Sequence, residues 1–277
     1  MCAAPLWCEG RMRVYAACIY VFLYAPIALI VVFSFNAGHY AMDWQGFSVE
    51  WYGKAFSNPV LVKALVTSLI VASSTAVIAT VVGTLCALGL ERMRGWLRQL
   101  FDALIYIAIM VPGVVIGIAT LIAFVTLFDV VNPALETLGM ARLQMGLWTV
   151  IAAHVLFNLA VVVLIIRARL AGMDRSLVEA SEDLYATPFA TFRQVVLPAL
   201  MPSILAGLLL SFTFSFEDFI ITFFVAGPNT TLPIYMYSSI RRGVTPEINA
   251  IGTAVLLTSL ALLMLAQFLL RTRSKGG

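Results

Sequence analysis

Histidine, cysteine and charge are all scarce in this chain of 277 residues. Its two histidines, His39 and His154, and its four cysteines, Cys2, Cys8, Cys18 and Cys86, form no CxxC or HxxxH cluster. That argues against a metalloenzyme or a disulfide scaffold and gives no reason to expect a metal or any other cofactor. Only 11 % of the residues are charged, too few to coat a water-soluble protein, and a net charge of +3 is too small to suggest a nucleic-acid partner. A phosphate-binding loop is missing too: the one Gly-Lys pair, Gly53-Lys54, follows Ser48 where the first glycine of G-x-x-x-x-G-K-[ST] belongs and precedes Ala55. No cluster of nucleophile and acid–base groups shares one depth, as a membrane-embedded enzyme would need, so no catalytic residue is expected. What the chain has in plenty is apolar surface. With 62 % hydrophobic residues and a mean hydropathy of +0.99, its solvent is mostly lipid.

Six apolar runs are long enough to cross a hydrocarbon core of about 30 Å at 1.5 Å per residue. They cover Val14 to Phe35, Lys63 to Leu90, Ala103 to Phe128, Leu147 to Ile166, Ala199 to Phe223 and Ala250 to Leu270. Barrel strands would be apolar only at every second position, so the expected fold is an all-α membrane protein with six transmembrane helices. The first run follows Arg11 and Arg13 as a signal peptide would, but its length favours a retained anchor. Alternate connections carry very different numbers of basic residues. Twelve lie in one set (Arg11, Arg13, Arg92, Arg94, Arg98, Arg167, Arg169, Arg175, Arg193, Arg271, Arg273 and Lys275) and five in the other (Lys54, Lys63, Arg142, Arg241 and Arg242). The positive-inside bias puts both termini in the cytoplasm, where Cys2 and Cys8 would be free thiols. The chain divides into residues 1–62 (first span and external loop), a core at 63–270 with a cytoplasmic loop at 167–198, and a tail at 271–277.

Within the spans, Ala79, Gly83 and Ala87 form a small-residue ridge that lets another helix approach closely. Pro112, Gly113 and Gly117 loosen the third span, either as a kink for packing or as part of a pathway lining. His154 and Asn158, four apart in the fourth, are placed to hydrogen-bond a neighbouring helix or to serve transport.

The loop at 167–198 is long for a bundle connection and holds Asp174, Glu179, Glu182 and Asp183. Residues 179–198 read EASEDLYATPFATFRQVVLP, which resembles the EAA loop of bacterial ABC importer permeases: E-A-A, three residues, G, nine residues, I, one residue, L-P. Glu179, Ala180, Leu197 and Pro198 match; Ser181 replaces the second Ala, Val195 the Ile, and Tyr185 the Gly. The last change means either a turn made with φ below zero or a somewhat different docking. The resemblance implies the type I importer permease fold and a short coupling helix for a separate ATPase, with Glu179, Ala180, Ser181, Tyr185, Leu197 and Pro198 as ATPase-coupling residues. Further stretches are similar to the second permease of polyamine importers: WQGFS at 44–48, Trp51-Tyr52, SFEDF at 215–219, LPIY at 232–235 and RRGVTPEINA at 241–250. The partners so implied are a second permease, two ATP-binding cassette subunits, an extracytoplasmic binding protein and the bilayer of the inner membrane. Iron, an oxyanion or another solute stays open as cargo, and a stand-alone secondary transporter is the rival class. That rival should carry internal repeats and a midplane ion site, which the chain does not display.

Glu217 and Asp218 are adjacent acids inside an otherwise apolar run, each costing about 2.5 to 3.5 kcal/mol at a bilayer centre. Helical spacing puts Asp218 on the face of Gly207 and Ser211, with Glu217 about 100° away. Counted from Ala199, both lie about 27 Å along the axis, near the outer mouth. They are therefore either substrate-pathway residues for a cation or an interfacial pair bonded to Arg241 or Arg242. The aromatic group Trp44, Phe47, Trp51 and Tyr52 reads as an interfacial belt or as a surface for the binding protein.

Overall fold

The computed structural model describes residues 6–38, 43–174, 176–243 and 246–274. Cys2, His39, Arg175, Val244, Thr245 and Lys275 lie outside them, as does the side chain of Cys8. The described residues are helical apart from turns and one antiparallel bridge, Asn36 to Phe47. Two compact units result: residues 1–62 with 236–277, and residues 63–235.

In the first unit α1 (Leu6–Phe33) and α2 (Glu50–Ser57) pack against α12 (Pro246–Ser274). The loop after α1 is built on one side chain. Asn36 Oδ1 accepts from the amides of Gly38 and Gln45 at 3.1 and 2.9 Å, and its Nδ2 donates to the Asp43 carbonyl at 2.6 Å. An asparagine thus supplies the bonds that a strand ladder would otherwise make. Phe35 stacks on Phe47, and the Tyr52 and Ser34 hydroxyls lie 2.7 Å apart. The aromatic group is divided: Trp51 is buried, whereas Trp44 and Phe47 are exposed. Asn58 caps α3 (Pro59–Arg92) by accepting from the Val60 amide, with Pro59 at the first helical position where no amide is needed. Its Nδ2 donates to Glu247 Oε1 at the start of α12.

The second unit holds most of α3, then α4 (Trp96–Met110), α5 (Gly113–Thr137), α6 (Leu147–Ala171), α7 (Ser176–Asp183), α8 (Pro188–Thr191), a five-residue π turn (Phe192–Val196), α9 (Leu197–Glu217) and α10 (Ile220–Val225); α11 (Leu232–Arg242) begins at its end. The small-residue ridge of α3 is buried at Ala79, Gly83 and Ala87. A Cβ on Gly83 would lie 2.7 Å from Val162 Cγ1, and one on Gly207 would lie 3.5 Å from the same atom. Val162 of α6 is therefore held between two glycines, which draws α3, α6 and α9 into one closely packed core with Ile166 and Leu200.

Five helical segments among the described residues are long and apolar enough to cross a membrane: 12–33, 59–92, 113–137, 147–171 and 188–217. The sixth run, 250–270, lies within α12. Two expected spans are interrupted. The third is split at Val111 and Pro112, because proline has no amide and forces the residue before it out of the helical region; Val111 stands at φ −70°, ψ 130°. The fifth is split after Glu217, with Asp218 extended at φ −70°, ψ 117°. A Cβ on Gly113 would come within 3.9 Å of Ile220, so the two interruptions adjoin.

Candidate functional site

The break in the fifth span separates its two acids. Glu217 is the last residue of α9 and is exposed. The Asp218 side chain turns inward and is 21 % exposed. Its Oδ2 accepts from the Thr222 amide at 3.0 Å, which supplies a partner to the first turn of α10, and lies 3.2 Å from His154 Nε2. The imidazole is buried. Nε2 is also 2.9 Å from Thr222 Oγ1, and Nδ1 is 2.7 Å from Ser215 Oγ. The pair expected to bond a neighbouring helix splits in two. His154 crosses to α9 and α10, while Asn158 Nδ2 donates to the His154 carbonyl and braces its own helix.

Arg241 lies over the Tyr237 ring, and the side chain of Arg242 is outside the described residues. The continuous helical spacing used above does hold for Gly207, Ser211 and Ser215, all buried. It stops at Glu217, where the chain leaves the helix. Ser215 and Thr222, missed as site residues, carry little signal in sequence because serine and threonine are ordinary in packed membrane helices. The useful hint was an acid seven residues beyond Ser211 in a run with a lone intramembrane histidine on another helix.

Several further contacts hold α10 in place. Thr149 Oγ1, at the start of α6, lies 2.6 Å from the Val225 carbonyl. A Cβ on Gly117 would lie 2.6 Å from Phe224 Cδ2, so the Phe224 ring of α10 packs directly on the backbone of α5. The carbonyls ending α9 have no intrahelical donors and add the negative end of a helix dipole beside the exposed Glu217. Such an end, next to unwound backbone, favours a cation.

The expected coupling segment is α7. Its N-terminus is tied by Asp174, whose Oδ1 accepts from the Ser176 amide at 2.9 Å; this bond holds the Asp174 carboxyl below the usual carboxylate range. Glu179 and Ala180 are exposed, whereas Ser181 faces inward with its Oγ 2.8 Å from Thr191 Oγ1, pinning α7 to α8. Leu197 is half-buried and Pro198 exposed at the start of α9. Tyr185 adopts φ +56°, so of the two alternatives the turn with φ below zero is not the one taken. The reason is the helix end itself. The Tyr185 amide donates to the Glu182 carbonyl at 2.9 Å and the Ala186 amide to Ser181 at 3.1 Å, a Schellman pair that requires a left-handed residue at position 185. The tyrosine thus keeps the backbone shape that glycine takes easily. Leu184, Tyr185 and Phe189 are 82 %, 96 % and 71 % exposed, an unusual apolar tip on a charged loop.

Residues 79–273 match the family described as binding-protein-dependent transport system inner membrane component. The chain belongs to that family. It is 35 % identical over 259 residues, 93 % of each chain, to the spermidine/putrescine transport system permease protein PotC of Escherichia coli K12. It is 37 % identical to PotC of Haemophilus influenzae over 254 residues, 91 % of this chain and 93 % of that one. The putrescine transport system permease protein PotI of E. coli K12 is 39 % identical over 242 residues, 86 % of this chain and 82 % of PotI. Among solved structures, a bacterial ABC transporter that imports the polysaccharide alginate superposes with a TM-score of 0.75 at 17 % identity, covering 96 % of both chains. The MetNI methionine ABC transporter gives 0.59 at 17 % identity, covering 77 % of this chain and 95 % of that one. The fold is therefore that of the type I ABC importer permeases, and the chain is a transport component of the inner membrane.

Proposed function

We propose that the chain is one of two permease subunits of an ATP-driven importer of polyamines, with both termini in the cytoplasm. An extracytoplasmic binding protein delivers the substrate, and two separate ATPase chains supply the energy. ATP binding closes the ATPase pair, and α7 with its exposed tip passes that motion to α9 and α6, so that the cavity opens alternately outward and inward. Glu179 and Ala180 lie on the outer side of α7, where a groove in the ATPase would meet them, and Ser181 keeps α7 attached to the span behind it.

The observation that carries the substrate reading is the exposed Glu217 at the carboxyl end of the interrupted α9, beside the half-buried Asp218. A polyamine is a flexible chain of ammonium groups. Each ammonium offers several N–H donors to a carboxylate and to free carbonyls, which suits this end of a helix. An oxyanion would meet repulsion at the same place. Supporting this, the relatives of 35 to 39 % identity are named as spermidine/putrescine or putrescine permeases. The test is uptake by the assembled complex in proteoliposomes, with labelled spermidine, putrescine, ferric iron and thiosulfate offered in turn. Polyamine uptake that requires ATP is expected. Preference for iron or thiosulfate would overturn the substrate, and uptake by this chain alone without ATP would overturn the importer reading.

A further inference from the structure

His154 is the one buried titratable side chain of α6, and the transport scheme above gives it no role. Its position is specific. The ring touches both sides of the break in the fifth span: Ser215 on α9 through Nδ1, and Asp218 and Thr222 at the start of α10 through Nε2. The partners fix how these bonds run. Asp218 Oδ2 can only accept while ionised, and it already takes the Thr222 amide proton. Nε2 therefore donates toward Oδ2 and Thr222 Oγ1, the threonine hydroxyl donates back to Asp218 at its carbonyl or carboxylate, and Nδ1 shares a hydrogen bond with the Ser215 hydroxyl. Asp218 Oδ2, both ring nitrogens and the Ser215 and Thr222 hydroxyls all find partners within the chain. No other titratable or charged group is bonded to the ring from α6, α9 or α10.

Glu217 differs in each respect. It is exposed, it has no partner among the described contacts, and it sits at the negative end of α9. A ligand cation reaching the break meets the exposed Glu217, whereas at Asp218 Oδ2 it would compete with the Thr222 amide and the imidazole already in place.

We infer that the adjacent acids play different parts. Asp218 is a positioning residue, clamped by His154 and Thr222 to keep the fifth span broken, and Glu217 is the carboxylate that binds the ammonium. This rests on the polyamine-importer reading for the ligand, while the clamp stands on the chain's own geometry. The clamp holds Asp218 extended, so α9 ends at Glu217 and its last carbonyls stay free. Without it, the two helical pieces are free to join, which takes up those carbonyls and turns Glu217 away.

The experiment compares single variants in the assembled complex by two readouts: KM and Vmax for ATP-driven uptake of labelled spermidine, and hydrogen exchange over residues 216–224. Glu217→Gln keeps shape but loses charge, and its KM should rise about tenfold with exchange unchanged. Asp218→Asn keeps an acceptor for Thr222 and the ring, and its KM should move less than about threefold. His154→Leu removes all three ring contacts; exchange at Thr222 should quicken at least about tenfold and Vmax should fall with KM little altered, and His154→Gln, which can still offer a donor near Nε2, should recover much of both. If His154→Leu fails to assemble, Ser215→Ala removes only the bond to Nδ1 and should quicken exchange by about threefold. A rise in KM in Asp218→Asn as large as in Glu217→Gln would overturn the division between the two acids. Unchanged exchange in the His154 or Ser215 variant would overturn the clamp. Absence of spermidine uptake by the unaltered complex would remove the ligand reading, and the exchange measurements would still decide the clamp.

Discussion

Tyr185 is a single residue whose backbone and side chain ask for different things. The Schellman end of α7 needs a left-handed residue, and for a residue with a Cβ that conformation costs about 1 kcal/mol or more. The ring, 96 % exposed, gets no packing within the chain in return. Tyr185→Gly should therefore strengthen the end of α7 by about 1 kcal/mol, read as an Ala186 amide that exchanges about fivefold more slowly. Faster exchange in that variant would show that the tyrosine gains more from its surroundings than its backbone loses. The same residue shows what a motif conveys: the spacing from Glu179 to Pro198 located the turn, but its shape depends on hydrogen bonds from Ala186 and Tyr185 that no residue type announces. Asp174 presents the reverse case, because an acid two residues before a helical amide is a familiar local arrangement and its bond to Ser176 could be read from the letters.

Long apolar runs gave away α1, α3 and α6 because nothing in them competes with the helix. The third run contained its own breaker in Pro112, and the structure turns that loosening into a full interruption. The fifth contains no breaker at 218, and the interruption there is imposed from α6, by a histidine 64 positions earlier in the chain. Local pattern cannot reveal a stop made by tertiary hydrogen bonds, which is why Asp218 was assigned to a continuous helical face. Packing between helices was more legible. The ridge Ala79, Gly83, Ala87 is buried, and Val162 of α6 fills the space over Gly83 so closely that even a methyl group has no room. Gly83→Ala should cost about 1 to 3 kcal/mol through overpacking, seen as a lower Tm of the detergent-solubilised complex. An unchanged Tm would mean that α3 and α6 can separate there without penalty.

The whole molecule joins two chemically distinct regions of one chain. At one end of α9 lies the proposed coupling segment with its apolar tip of Leu184, Tyr185 and Phe189; at the other lies the break that carries Glu217. The Ser181–Thr191 bond fastens α7 to the segment that leads through α8 and the π turn into α9, the connection by which the proposed coupling would reach the break. In the orientation proposed from the basic residues of alternate connections, the tip lies inside and the break toward the outside. Where that tip lies is the most direct point of decision. In the assembled complex, Leu184→Cys should crosslink to the ATPase subunit, change its crosslinking yield when ATP is bound, and react with a membrane-impermeant thiol reagent only from the cytoplasmic side. Labelling from the external side, or crosslinks that never reach the ATPase, would contradict it.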